Sequence, residues 1–127
     1  MPLVRIELRK GQDSRFRQRV GQVVYEAMVS CINVPALDHF QVISEHDPEN
    51  LVFDPGYLGI HRTEGFMLIQ IFLNEGRTLE QKKALYKAIA AGLSTALEIR
   101  PEDVMINLVE MKKENWSFGN GIAQYAQ

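Results

Sequence analysis

Phe66-Met-Leu-Ile-Gln-Ile-Phe-Leu-Asn-Glu-Gly-Arg-Thr-Leu-Glu-Gln81 is the stretch that decides the fold. Phe66 to Leu73 is a nearly continuous apolar run, broken only by Gln70. Such a run suits a central strand covered on both faces. Gly76 interrupts it, and Thr78-Leu-Glu-Gln81 has the form of a capping box. The Thr78 hydroxyl and the Gln81 side chain can satisfy free N–H groups of a first helical turn. Beyond it Leu85, Ala88, Ile89, Gly92, Leu93, Ala96 and Leu97 recur at helical spacing and predict one buried stripe. Val104 to Val109 is the next strong strand.

The same order occurs 65 residues earlier. Ile6 then matches Ile71, Leu8 matches Leu73, Gly11 matches Gly76, Val24 matches Ile89, Asp38 matches Asp103 and Glu45 matches Glu110. Leu3 to Leu8 alternates as a strand, with Val4, Ile6 and Leu8 on one face. After Gly11, Asp13 or Ser14 can cap a helix whose stripe is Phe16, Val20, Val23, Val24, Ala27, Met28 and Cys31. Pro35 is expected to end that helix, and His39 to Ser44 to follow as a strand with Phe40 and Val42 on one side. Residues 46–65, with Pro48, Pro55, Gly56, Gly59 and Gly65, read as loops with a short hairpin. The tail holds Trp116-Ser-Phe-Gly-Asn-Gly121 and then a short strand, Ile122 to Tyr125.

The chain is therefore expected to be a single α+β domain over residues 1–127, with pseudo-repeats at about 2–60 and 66–127. Tandem β-α-β units with right-handed crossovers give a two-layer structure, a four-stranded sheet with both helices on one face. The other sheet face needs a cover, and a cyclic oligomer with the sheets facing inward supplies one.

Composition narrows the function. The chain has 127 residues, 46% apolar and 24% charged, with a net charge of −2. That charge gives no general case for nucleic acid or an anionic membrane as partner. The apolar runs are far too short to span a bilayer. A single cysteine, Cys31, and a charged amino-terminal stretch fit a cytoplasmic protein. Cys31 reads as a small core residue on the helix stripe. His39, His46 and His61 lack metal-ligand spacing, and no phosphate loop with its lysine is present, so neither metal nor cofactor is expected.

Pro2 carries the most chemical interest. Removal of Met1 would leave its nitrogen as a free secondary amine, titrating near or above the α-amino range of about 7.7–8.0. Burial lowers such a pKa toward a neutral base, and a nearby carboxylate raises it toward an acid. The plainer role for Pro2 is to start an edge strand.

Four segments in order, Pro2-Leu-Val-Arg-Ile-Glu-Leu8, Val34-Pro-Ala-Leu-Asp-His-Phe-Gln41, Gly76-Arg-Thr-Leu-Glu-Gln-Lys82 and Asn115-Trp-Ser-Phe-Gly-Asn-Gly121, together resemble the malonate semialdehyde decarboxylase-like branch of the tautomerase superfamily. The resemblance covers essentially the whole chain. It implies a homotrimer of the tautomerase/MIF-like fold, with active sites around Pro2 partly closed by neighbouring subunits. It implies that Asp38 is the acid beside the amino-terminal proline, although Asp103 holds the same place in the other repeat. Arg77 would grip a substrate carboxylate, and otherwise would be a solvated loop arginine. The branch has a second arginine just upstream, where this chain has Asn74 or Glu75. Trp116, Phe118 and Tyr125 match the aromatic wall of the pocket. They could equally pin the tail onto the next subunit.

The expected activity is enol–keto tautomerisation of a small 2-oxo acid, with Pro2, Asp38 and Arg77 catalytic and Asn74, Trp116, Phe118 and Tyr125 binding substrate. The alternatives are decarboxylation or hydration of a 3-oxo acid such as malonate semialdehyde, and a non-catalytic trimer that binds a small acid. Loss of one arginine should leave the Pro2 amine partly or largely protonated at neutral pH.

Overall fold

The computed structural model describes residues 2–126. Its main elements are β1 (Leu3–Arg9), α1 (Ser14–Ile32), β2 (Gln41–His46), β3 (Met67–Asn74), α2 (Leu79–Leu97) and β4 (Val104–Met111). The sheet order is β2-β1-β3-β4. Each helix connects a parallel pair, β1 with β2 and β3 with β4. The two halves meet along an antiparallel seam that runs from Leu3 opposite Phe72 to Leu8 opposite Met67. A pseudo-twofold axis therefore passes between β1 and β3. It brings the start of β1 to the end of β3, and the end of β1 to the start of β3.

Alternation on the strands selects the helix-facing side. Val4, Ile6 and Leu8 of β1 and Met67, Ile69, Ile71 and Leu73 of β3 are buried. They pack under Val20, Val24 and Met28 of α1 and Leu85, Ile89 and Leu93 of α2. Burial of each such side chain favours folding by about 1.5–3 kcal/mol. The helices approach closely because position 92 is glycine: a Cβ there would lie 2.7 Å from Val23 Cγ1.

The caps follow the sequence closely. Asp13 accepts from Phe16 N at the start of α1. Thr78 and Gln81 form the full capping box of α2. The end of α1 differs from expectation. Asn33, at φ 58°, closes the helix with its N–H on Met28 O, two residues before Pro35 can act. Asparagine tolerates this left-handed conformation better than most residues.

Three expected elements are corrected. The second strand begins at Gln41 and not at His39: Phe40 O still accepts from Val4 N at 3.0 Å, and the His39 ring stacks on Tyr25, 4.5 Å between centroids. Residues 46–65 carry no hairpin. They form 3-10 turns at Pro48–Asn50 and Tyr57–Gly59, and Arg62 donates to the carbonyls of Asp54, Tyr57 and Ile60. Ile122 to Tyr125 is not a strand. Gly119, Asn120 and Gly121 all have positive φ and turn the chain back on itself.

The sheet face away from the helices is mixed. Phe40 and Val42 do lie together, but exposed at 48% and 42%, and Met105 is 50% exposed. Polar groups run between these apolar ones. Gln70 donates to Asn107 across β3 and β4 at 3.1 Å, and His46 meets Glu7 at 2.8 Å.

Candidate active site

The antiparallel seam places Pro2, buried, at the end of β3. Extending the register by one residue sets it beside Leu73. The neighbouring segment, residues 33–40, joins α1 to β2 and carries Asp38. Asp38 is buried, with its N–H on Pro35 O at 3.0 Å. Tyr25 fixes this segment twice, by the His39 stack and by its hydroxyl donating to Ala36 O. Burial pushes the Asp38 carboxyl above its ordinary pKa, and the positive charges of the amino terminus and of Arg77 oppose that rise.

Arg77 sits in the turn between β3 and α2. Its Nη2 donates to Ile32 O at 3.1 Å and its Nη1 to Asn74 O at 3.2 Å. Ile32 is the last residue of α1, so the guanidinium lies at the negative end of that helix dipole. The expected solvated alternative for Arg77 gives way to a specific seat. The arginine closes the carboxyl end of α1 while its charge still reaches Asp38 and Tyr125.

Of the two residues at the place of the second arginine, Asn74 turns inward and is buried, whereas Glu75 is exposed. Asn74 Oδ1 accepts from Trp116 Nε1 at 2.8 Å. Trp116 in turn stacks on Phe118, 5.3 Å between centroids, and Tyr125 meets Phe118 edge-on at 5.1 Å. The tail thus folds over this end of its own chain. Burial and the Asp38 charge raise the Tyr125 phenol pKa, with Arg77 acting against them. Tyr125 is accordingly a neutral O–H near neutral pH, able to donate a hydrogen bond.

A cleft of about 390 Å³ opens beside Arg77, lined also by Asn74, Gly76, Gln81 and Lys113. Pro2 and Asp38 lie outside its lining. The structure therefore joins Arg77 and Asn74 in an open cleft, with Pro2 and Asp38 buried nearby at the same end of the sheet. Two residues were missed from sequence. Lys113 adds a second cation to the cleft, and Phe40 packs 6.3 Å from Phe118. A lysine in a polar tail gives no periodic signal. Phe40 had one, as the partner of Val42, but it pointed only to the sheet face. Met1 lies outside the described residues. Among the described residues no group of three His, Cys, Asp or Glu side chains gathers to hold a metal.

Two β-α-β units, related by a pseudo-twofold and joined along an antiparallel seam, make up the fold. The chain belongs to the tautomerase family. One family profile described as tautomerase enzyme matches residues 38–119 and a second, also described as tautomerase enzyme, matches residues 2–60. The probable tautomerase YusQ of Bacillus subtilis (strain 168) is 43% identical over 98% of each chain. A malonate semialdehyde decarboxylase, solved with a view to its decarboxylase and hydratase activities, superposes at TM-score 0.91 with 32% identity, covering 97% of this chain and 95% of its own. The FG41 malonate semialdehyde decarboxylase inhibited by 3-bromopropiolate gives TM-score 0.91 and 33% identity, over 97% and 93%. A fused 4-OT, solved as a symmetric trimer, shares the fold at TM-score 0.79 with 23% identity, over 98% of each chain.

Proposed function

We propose that this tautomerase ketonises a small 2-enol acid through the secondary amine of Pro2, exposed by removal of Met1. The observation that carries this reading is geometric: Pro2 is buried at the end of β3, the end of the sheet at which Arg77 is seated on Ile32 O and Asn74 O. The neutral amine takes the enol hydroxyl proton. The C–O bond closes to a carbonyl, and the C=C electron pair takes the proton back from the ammonium at C3. The sum is an isomerisation and needs no cofactor. Arg77 forks onto the substrate carboxylate, with Lys113 beside it in the cleft. The aromatic tail keeps water from the relay and strengthens the charges within it. The charge of Asp38 favours the protonated amine, while burial and the Arg77 charge favour the neutral one.

A second reading is decarboxylation or hydration of a 3-oxo acid. The likeness to two malonate semialdehyde decarboxylases over nearly the whole chain favours it. There the cationic amine polarises the carbonyl and Asp38 orients water. In either reading we propose a homotrimer. The exposed Phe40, Val42 and Met105 on the sheet face support it, as does the trimeric neighbour of the same fold.

Turnover of phenylenolpyruvate by protein shown by intact mass to lack Met1 tests the proposal. Pro2→Ala should lower the rate by roughly 10²–10⁴-fold, the usual contribution of a positioned acid–base group. A wild-type rate equal to buffer, together with undiminished binding of small acids by Pro2→Ala, would leave a binding module and remove the catalytic reading.

A further inference from the structure

At the opposite end of the sheet lies a second cavity, of about 420 Å³. Its walls repeat those of the Arg77 cleft with an offset of 65 residues. Arg9 stands for Asn74, Gln12 for Arg77 and Leu97 for Ile32. The remaining cleft positions 33, 75, 76, 81 and 113 map onto cavity positions 98, 10, 11, 16 and 48. The aromatic cover is repeated as well. Phe53 lies 5.7 Å from the Arg9 guanidinium, and its counterpart Phe118 packs on the Trp116 that covers Asn74. The pseudo-twofold has built the same pocket twice.

The chemistry differs where the sequence does. Met67 stands in the place of Pro2 in mid-chain, so its nitrogen is an amide and cannot act as a base. Asp103, the counterpart of Asp38, accepts from Thr63 N at 2.7 Å and Thr63 Oγ1 at 2.6 Å. Arg9 supplies a cation where the first pocket has an asparagine. Its Nε is buried without a hydrogen-bond partner. Its Nη1 bonds Glu64, whose side chain is 87% exposed. An ion pair with so exposed a partner contributes little, so an incoming carboxylate can displace Glu64 and also engage Nε–H. Lys10 stands beside it, paired at 3.1 Å with the half-exposed Asp47.

We propose that this cavity is a second, non-catalytic site for a small carboxylate, present once in each chain. Malonate is a suitable probe because it has no oxo group to turn over. Calorimetric titration of the wild-type protein should give two malonate sites per chain. Arg9→Gln should remove one of them and leave phenylenolpyruvate turnover unchanged. Unchanged stoichiometry and affinity in Arg9→Gln would overturn the proposal. Should that variant fail to fold, a crystal of the wild-type protein grown with malonate decides. A carboxylate within about 3 Å of Arg9 Nε is expected, and solvent alone there overturns it. Malonate at Arg9 with none at Arg77 would leave this site standing and count against the catalytic reading instead.

Discussion

Asp38 shows how a candidate site residue can work against its own fold. Burial penalises the charged carboxylate, so the folded chain holds the proton to higher pH than the unfolded chain. Between the unfolded pKa, near 3.8, and the raised folded value, the native state binds more protons. Stability contributed by this group therefore falls as pH rises through that interval and stays lower above it. Asp38→Asn removes the penalty. The variant should melt higher than wild type at neutral pH, with the difference vanishing below about pH 3.8, while turnover drops. Parallel melting curves at several pH values check this, and a pH-independent difference would count against it. Arg77 separates two roles. Arg77→Ala should raise KM and also destabilise by about 0.3–1 kcal/mol, because α1 loses the cation at its carboxyl end. Arg77→Lys should keep most of that stability but still raise KM, since an ammonium cannot fork onto a carboxylate. Urea denaturation alongside steady-state kinetics distinguishes the two losses. Arg77 was legible in the sequence as a residue of the resemblance. Its seat on Ile32 was not, because a contact over 45 residues leaves no local pattern.

Among the elements, α2 was the most legible, since its cap and the centre of its stripe, Leu85, Ile89 and Leu93, are local signals, although Ala96 of the expected stripe is exposed. Thr78→Ala should cost about 1 kcal/mol by breaking the capping box beside Arg77. The contact between α1 and α2 rests on Gly92. Gly92→Val should destabilise by about 1–3 kcal/mol, because the added side chain meets Val23 and the two helices cannot separate without opening the core. Thermal or urea unfolding measures both, and an unchanged midpoint for Gly92→Val would show that the helices are free to shift. The expected strands at residues 39–40 and 122–125 failed for a common reason. Aromatic stacking on Tyr25 and three consecutive positive φ values mark those segments, and neither is visible in polar–apolar alternation.

At the scale of the whole molecule, the uncovered sheet face is the consequence of placing both helices on one side. Val42 and Met105 stand exposed on it, at 42% and 50%. Met105→Asp should weaken the proposed trimer, and sedimentation velocity should then show a smaller species with turnover lost in proportion. An unaltered sedimentation coefficient would place the contact elsewhere. The pseudo-twofold also explains why the chain has two similar pockets of unequal chemistry. Met67, the counterpart of Pro2, lies in mid-chain, so its nitrogen is an amide and the pocket beside it lacks the amine proposed for Pro2.

The sequence by itself determined the duplicated β-α-β frame, the inner face of β1 and the residues that cap the start of each helix, because periodicity and capping chemistry are short-range properties of the chain. Pro2, Asp38 and Arg77 came forward as candidates chiefly through the resemblance to the tautomerase family. Only the tertiary structure decided that Asn74 and not Glu75 faces inward, that Trp116 bonds it, and that Lys113 joins Arg77 in one cleft. Each of those depends on how the tail folds back across the end of β3, a long-range packing choice made by aromatic contacts and buried hydrogen bonds that no local pattern encodes.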